Sequence, residues 1–228
     1  PVDETYFAGK SGLDVGCGMG RYTRVVGELG TEIIGMDLSN AVEAAFVNTR
    51  HLPNVHIVQG DIHLPPFRPA SFDFVYSLGV LHHLPEPRRG FDGMRQLTRA
   101  GGGIILWVYS DTKHPIYTFM RKFTLRLSFR VLRATCLTIA VMLWLAFILP
   151  NKLARGIGLD SFADRIKFQR YARFPFRALH TDLFDEFSAP IIHGHNEPEI
   201  RDWFQSSDCS DIVISPTGKH GWRAFGKS

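Results

Sequence analysis

The sequence contains few cysteines, and their spacing suits neither a metal site nor a disulfide framework. Cys17, Cys136 and Cys209 are widely separated and odd in number. This excludes a small disulfide-stapled fold and a cysteine-based zinc motif, and it favours the cytoplasm as the location. Internal repeats, low-complexity tracts and a recognisable signal peptide are also missing, which argues against solenoids and secreted modules.

Positive charge is present but not concentrated enough to indicate a nucleic-acid partner. The 228 residues include 26 Lys and Arg against 22 Asp and Glu, a formal net charge of +4. We therefore predict no nucleic-acid binding. The hydrophobic share of 45% and the charged share of 21% are ordinary for a soluble globular domain, with length enough for one domain and an insertion.

Short apolar runs alternate with helix-like segments through the first half of the chain. The predicted strands are 12–15, 32–36, 54–59, 72–76 and 104–109. Strand-helix alternation predicts an α/β fold with a Rossmann-like, mostly parallel sheet and helices on both faces. Further along, 197–205 is a predicted helix, and 212–215 and 222–225 are two predicted closing strands.

The alternation stops after Tyr109 and resumes only near the end of the chain. We therefore predict an α/β core over residues 1–111 and a mostly helical insertion over 112–178, placed before the sixth strand. Residues 179–228 are then the C-terminal part of the same sheet, with a substrate-side segment.

Three glycines follow the first predicted strand in the stretch LDVGCGMGRY, namely Gly16, Gly18 and Gly20. Without Cβ atoms, this turn brings the backbone close to a ligand. In an open parallel sheet, ligands bind beyond the carboxyl ends of the strands. Asp37 ends the second strand at the spacing of a ribose-binding acid, and Asp61 follows the third strand, where it suits an adenine amino group.

These segments resemble a known family when they are taken together. LDVGCGMGR, GMDLS, GDIHLPPF, SFDFVYSLGVLHHLPEP and TRAGGGIILWVY are similar to the class I S-adenosylmethionine-dependent methyltransferases, in the bacterial small-molecule "methyltransferase domain" type. The resemblance covers about 13–109 and, more weakly, 180–204. It implies a seven-stranded sheet whose last strand is antiparallel, with S-adenosylmethionine as the cofactor.

The resemblance also implies which residues hold that cofactor. Asp14 and the glycine turn are expected at its methionine part, Asp37 at the ribose and Asp61 at the adenine. The full expected set is Asp14, Gly16, Cys17, Gly18, Gly20, Asp37, Leu38, Asp61, Ile62, Ser77 and Leu78. The few residues before the glycine turn leave little room for the family's N-terminal covering helix, so cofactor affinity is expected to be low.

Histidines supply the candidate chemistry for the methyl acceptor. His82 and His83 follow the fourth strand, and either imidazole could remove a proton from an acceptor hydroxyl; His82 is the first candidate. A second group is expected to line the acceptor pocket. Its members are Tyr109, His180, Asp185, His193 and His195. We expect no metal among them, because the His193-Gly-His195 stretch is also typical of a plain loop.

The insertion contains an almost wholly apolar run, 134–149, which follows a basic segment beginning at Arg121. This run is shorter than the roughly 20 residues of a membrane-spanning helix. Three interpretations remain: a lid over the acceptor pocket, a homodimer contact, or docking of residues 121–149 on the inner membrane face.

The favoured hypothesis is methyl transfer from S-adenosylmethionine to a small or lipid-like acceptor, most readily at oxygen. One alternative is a nicotinamide-dependent Rossmann oxidoreductase. The G-x-G-x-G spacing and the lack of a Tyr-x-x-x-Lys motif argue against it. Another alternative is a module that binds S-adenosylmethionine without turnover.

Overall fold

The computed structural model describes residues 2–111, 120–121, 123–218 and 221–228. The chain divides into two compact units, each with its own core. The α/β unit comprises residues 1–113 and 191–228, and the helical unit comprises residues 114–190.

The α/β unit is built on a single seven-stranded sheet. Its strands are β1 Ser11–Val15, β2 Glu32–Asp37, β3 Val55–Gln59, β4 Phe72–Leu78, β5 Thr98–Tyr109, β6 Ser210–Thr217 and β7 Gly221–Lys227. They lie in the order β3-β2-β1-β4-β5-β7-β6. Only β7 runs antiparallel to its neighbours β5 and β6. The predicted Rossmann-like sheet with an antiparallel last strand is therefore confirmed.

Helices connect these strands and form the inserted unit. They are α1 Arg21–Glu28, α2 Ala41–Thr49, α3 Pro87–Leu97, α4 Phe129–Leu143, α5 Leu149–Gly156, α6 Asp160–Ala163, α7 Phe176–Ser188 and α8 Glu197–Gln205. Two short 3₁₀ turns, Glu4–Phe7 and Leu81–His83, belong to the α/β unit.

Both faces of the sheet are covered by apolar side chains that recur at helical spacing. On one face, Phe91 and Met94 of α3 are fully buried with Ile200 and Phe204 of α8, as their spacing predicts. On the other face, Val26 of α1 packs in a second cluster with aromatic residues of the strands. Apolar packing on two faces holds the carboxyl tips of β1 to β5 at one common edge.

The helical unit is organised around one long helix. α4 continues through a π-helical turn, Trp144–Ile148, into α5. Pro150 lies at the start of α5, where its missing N–H and its ring disturb the regular hydrogen-bond ladder, and the wider turn just before it accommodates this disturbance. One side of α4 packs on α7 through Leu132, Cys136 and Phe187.

The helical unit extends further along the chain than the sequence indicates. The predicted insertion ends at residue 178, whereas the helical unit ends at 190, because α7 packs against α4 rather than joining the sheet. The residues predicted as the start of the last segment, 179–190, therefore belong to the insertion.

The length of this helix corrects the prediction that the apolar segment is too short to span a membrane. Among the described residues, Phe129–Gly156 is a helix of 28 residues that is long and apolar enough to cross a membrane. The apolar run 134–149 is shorter than a membrane-spanning helix, but the helix that contains it extends beyond the run at both ends. A single crossing by this helix would place β6 and β7 on the other side of the membrane from the first five strands, yet all seven strands belong to one sheet.

Candidate functional site

Main-chain hydrogen bonds join the tips of the first three strands. The N–H groups of Gly16 and Cys17 both donate to the carbonyl oxygen of Met36, at 2.7 and 3.0 Å. The N–H of Gly60 donates to the carbonyl oxygen of Asp37 at 3.0 Å. The turn after β1, the end of β2 and the end of β3 therefore form one continuous edge.

The glycines of the turn are required by geometry. Gly16 and Gly18 have φ values of 79° and 52°, in the region that disfavours other residues. A Cβ at Gly16 would lie 2.4 Å from a methyl carbon of Val80, so no side chain fits there. A Cβ at Gly18 would meet no atom within 4 Å, so the backbone at Gly18 faces open space.

Asp37 links the turn to the end of β2. Its Oδ2 accepts the Gly18 N–H at 2.8 Å, and its Oδ1 accepts the N–H and hydroxyl of Ser39, at 2.8 and 2.6 Å. Each carboxylate oxygen has two lone-pair sites, so Oδ2 retains one. A ribose could bond to Oδ2 directly but would have to displace the Ser39 hydroxyl from Oδ1.

Asp61 and its neighbours form the next part of the edge. Its Oδ1 accepts the N–H of His63 at 2.9 Å and lies 3.1 Å from the His63 ring Nδ1. Ile62 is buried, with 5% of its surface exposed, whereas Leu38 is 67% exposed. Leu38 therefore offers an apolar surface to a flat ring, and Ile62 supports the loop from within.

Asp14 lies beneath the turn and not on its open side. The residue is 2% exposed, and Thr23 Oγ1 donates to its Oδ2 at 2.6 Å. Burial raises the pKa of Asp14 to about 7, although the hydrogen bond from Thr23 opposes this shift. Burial likewise raises the pKa of the Cys17 thiol to about 12, which keeps it protonated.

The two residues predicted at the end of β4 have different surroundings. Ser77 is fully buried, and its hydroxyl donates to the Val15 carbonyl at 3.0 Å, so it joins β4 to β1. Leu78 is half-buried and borders a cavity of about 500 Å³ at the tips of β4 and β5. The other residues lining this cavity are Tyr22, Gly79, Ile105, Leu106, Trp107, Thr217 and Arg223.

Three of the predicted histidines meet beyond the ends of β4 and β5. His82 is fully buried, with its ring 4.3 Å from that of His83 and 4.0 Å from that of Tyr109. The Tyr109 N–H donates to His82 Nδ1 at 3.3 Å, and His83 Nδ1 lies 2.8 Å from the Ile191 carbonyl oxygen. The His193 N–H donates to the His82 carbonyl at 2.8 Å.

His195 joins this group and brings with it a residue that the sequence analysis missed. It is 3% exposed, and its Nδ1 lies 2.9 Å from Oε1 of Glu199. The sequence feature that could have indicated Glu199 is its i,i+4 spacing from His195, at the start of α8. The Nε2 atoms of His193 and His195 are buried and have no hydrogen-bond partner in the described part of the chain.

Two residues that were predicted to line the acceptor pocket lie outside the α/β unit. His180 and Asp185 lie on α7 of the helical unit. Burial raises the pKa of Asp185, and the nearby charge of Asp182 raises it further. Across the described ranges, no three His, Cys, Asp or Glu side chains are grouped so as to hold a metal ion.

Residues 13–106, which run from β1 almost to the end of β5, match a protein family described as "Methyltransferase domain". These residues of the α/β unit therefore form a methyltransferase domain of the class I S-adenosylmethionine-dependent type. The strand tips with the glycine turn, Asp37 and Asp61 all lie inside the matched range.

Known relatives of this methyltransferase domain include enzymes of quinone metabolism, by their names. The chain is 32% identical over 114 residues to a demethylmenaquinone methyltransferase of Staphylococcus haemolyticus, covering 48% of this chain and 47% of that one. It is 32% identical over 113 residues to a ubiquinone biosynthesis O-methyltransferase of Paraburkholderia phymatum, covering 47% and 46%. The chain thus spans about half the length of the curated relatives it matches.

A solved structure supports the fold over a longer range. A S-adenosylmethionine-dependent methyltransferase from Aquifex aeolicus matches with a TM-score of 0.53, covering 97% of this chain and 85% of that one. The identity is 13%, so this likeness shows the fold alone.

The geometry of the methyltransferase domain fits S-adenosylmethionine, the cofactor of its family. The backbone at Gly18 borders open space, and the nearby Asp37 Oδ2 retains an acceptor site for a ribose hydroxyl. Leu38 follows Asp37 in sequence, and its side chain is exposed. It could therefore contact an adenine ring attached to a ribose at Asp37. Among the residues described, Asp61 Oδ2 makes no hydrogen bond and could accept one from the adenine amino group.

Proposed function

We propose that the protein transfers a methyl group from S-adenosylmethionine to a small or lipid-like acceptor, most readily at a hydroxyl oxygen. The observation that carries this proposal is the edge formed by the glycine turn, Asp37 and Asp61 within a methyltransferase domain. The quinone-related names of two relatives support an acceptor with an apolar ring or tail.

The chain's own contribution at the cofactor is to bind and orient it. Asp37 would hold the ribose, and Gly18 would let the backbone approach the cofactor without a side chain between them. Asp61 and Leu38 would fix the adenine by a hydrogen bond and by apolar contact. When bound, S-adenosylmethionine supplies a reactive methyl group, so the protein needs mainly to align the acceptor and exclude water.

Among the histidines, His83 is the better candidate for the base. A carbonyl oxygen only accepts hydrogen bonds, so the His83 Nδ1 that faces the Ile191 carbonyl carries a proton, and the neutral ring is basic at Nε2. His82 Nδ1 accepts from the Tyr109 N–H, which leaves the proton of its neutral ring on Nε2. We therefore place His83 as the proton acceptor and His82 as a residue that orients it.

The acceptor would lie beside this cluster. The cavity at the tips of β4 and β5 is lined largely by apolar groups such as Leu78 and Trp107, which suits an apolar acceptor. The Nε2 atoms of His193 and His195 are buried without partners in the described ranges, and such atoms cost roughly 1–3 kcal/mol each unless a ligand pairs with them. A polar group of the acceptor would supply that partner.

The test is a transfer assay with methyl-labelled S-adenosylmethionine and a panel of hydroquinones, catechols, amines and carbon acids. We expect label in a hydroxylated, apolar acceptor, with an O-methyl product identified by mass spectrometry. A C-methyl or N-methyl product would contradict the oxygen assignment. If S-adenosylhomocysteine bound but no acceptor were labelled, the protein would be a binding module instead.

A further inference from the structure

The long helix of the helical unit is apolar on both of its sides. Its inner side, which includes Leu132, Cys136 and Ala140, is buried within the unit. The outer stripe consists of Ala134, Leu137, Thr138, Val141, Met142 and Leu145, at the spacing of one helix face. Each residue of the outer stripe is exposed. A surface helix of a soluble protein normally has a polar outer face, so this stripe is expected to be covered by something apolar.

The exposure of the outer stripe is large. Leu137 is 45% exposed, Val141 41%, Met142 57% and Leu145 54%. An 18-residue window of this helix has a mean hydropathy of 2.1, and only 22% of that window is buried. Residues 134–151 contain no Asp, Glu, Lys or Arg, and they extend for about 27 Å at 1.5 Å per residue.

The helical unit that carries the outer stripe has an excess of positive charge. Residues 114–190 hold 12 of the chain's 26 Lys and Arg and 5 of its 22 Asp and Glu. The helical unit therefore has a formal charge of +7 and the rest of the chain −3, within the total of +4. Arg126, Arg130 and Arg133 are exposed and form no ion pair with any residue that the structure describes.

From these observations we propose that the helical unit docks on an anionic lipid bilayer, with α4 lying flat and its outer stripe in the interfacial region. The apolar side chains of the outer stripe enter the boundary between headgroups and acyl chains. Arg126, just before α4, and Arg130 and Arg133, in its first turns, contact lipid phosphates, which attract basic side chains near a membrane surface. This inference is independent of the proposed methyl transfer, which needs no membrane.

Charge argues for lipid over a second copy of this chain. Two helical units that met through the outer stripe would bring together two units that each have a formal charge of +7, and like charges oppose such contact. An anionic bilayer offers both the apolar layer and the opposite charge.

The packing of α7 argues for a flat helix over a spanning one. α7 lies against α4 and exposes Arg177 and Asp182. If α4 crossed the bilayer with α7 attached, these side chains would enter the hydrocarbon core, where charged groups are strongly disfavoured. A flat orientation keeps α7 on the water side.

Vesicle flotation of the full chain tests the proposal. We expect the protein to float with phosphatidylcholine vesicles that contain phosphatidylglycerol, and binding to fall at least about tenfold without the anionic lipid or at high salt. Binding to both vesicle types alike, or to neither, would overturn the proposal. So would protein that resists extraction by alkaline carbonate, because it would then span the bilayer.

A matched pair of triple variants locates the contact. Leu137→Gln, Met142→Gln and Leu145→Gln together should reduce vesicle binding about tenfold or more. Val25→Gln, Phe46→Gln and Val47→Gln alter three exposed apolar residues of the α/β unit, and binding should stay unchanged. Circular dichroism and S-adenosylhomocysteine affinity should match wild type in both variants, which separates a lost contact from lost folding.

Light scattering tests whether a second copy of this chain covers the outer stripe instead of lipid. We expect a monomer in solution without lipid. A dimer that the Leu137→Gln, Met142→Gln, Leu145→Gln variant abolishes would show that a second copy covers the stripe, and it would overturn the lipid proposal.

Discussion

The α/β unit and the helical unit place their apolar residues differently. In the α/β unit, α3 and α8 bury one face each against the sheet, and the unit has a formal charge of −3. In the helical unit, α4 buries one side but leaves the outer stripe exposed, and the unit has a formal charge of +7. The first unit is specified by its own interior and backbone geometry, whereas the second leaves an apolar stripe exposed, which the proposed membrane surface would cover.

The comparison predicts that chemistry is confined to the α/β unit. With a hydroxyl acceptor, His83→Gln should lower kcat by about 10²- to 10⁴-fold, the usual effect of losing a general base. Affinity for S-adenosylhomocysteine should not change. Steady-state kinetics with calorimetry provide the measurement.

Two further variants serve as controls for this effect. His56→Gln changes an exposed histidine paired with Glu32 on the sheet, and His180→Gln changes one on α7. Both should retain the wild-type kcat. An equal loss in His180→Gln would show that the helical unit takes part in catalysis.

The two sides of α4 should differ in their effect on stability. Leu132→Ala empties a buried site and should lower the free energy of unfolding by about 2–5 kcal/mol. Leu137→Ala, on the exposed outer stripe, should lower it by no more than about 0.5 kcal/mol. Urea unfolding in the absence of lipid measures both, and equal losses would mean that the outer stripe is covered by protein.

Asp37 should control cofactor affinity. Asp37→Ala removes a charged acceptor from the ribose and from the Gly18 N–H, and it should weaken S-adenosylhomocysteine binding by about 1.5–3 kcal/mol. Asp92→Ala removes an exposed carboxylate of α3 and should leave the calorimetric Kd almost unchanged. Equal Kd values for wild type and Asp37→Ala would contradict the ribose assignment.

The buried carboxyl of Asp14 should make stability depend on pH. Its folded-state pKa of about 7 lies above the ordinary value of 3.8, so between these values folding takes up a proton and stability falls as pH rises. The Asp14→Asn variant has no carboxyl at this position and should not lose this stability as pH rises. Its stability relative to wild type should increase with pH by up to about 1.4 kcal/mol per unit, with no further increase above pH 7. Parallel stability curves for the two proteins would contradict the burial argument.

The edge that fits the cofactor was predictable because parallel strands end at one edge of the sheet. Gly16, Gly18, Asp37 and Asp61 each follow a predicted strand, and the structure brings all four together. Ser77 was expected to face the cofactor, but the β1–β4 pairing directs its hydroxyl to the Val15 carbonyl. A sequence pattern does not reveal such a contact between strands.

The helical unit was less predictable for a different reason. Where nearly every residue is apolar, spacing alone does not separate Leu132, which is buried, from Leu137, which is exposed. The side of α4 that is buried depends on where α7 packs, and α7 is far away in sequence. The same packing moved the end of the insertion from residue 178 to residue 190.

The most direct test of the cofactor site is a crystal structure of the chain with S-adenosylhomocysteine. The account predicts that the ribose hydroxyls lie within hydrogen-bond distance of Asp37, with the adenine beside Leu38 and Asp61. Density for the nucleoside at any other place, with the hydrogen bond between Asp37 and the Ser39 hydroxyl still intact, would contradict this account.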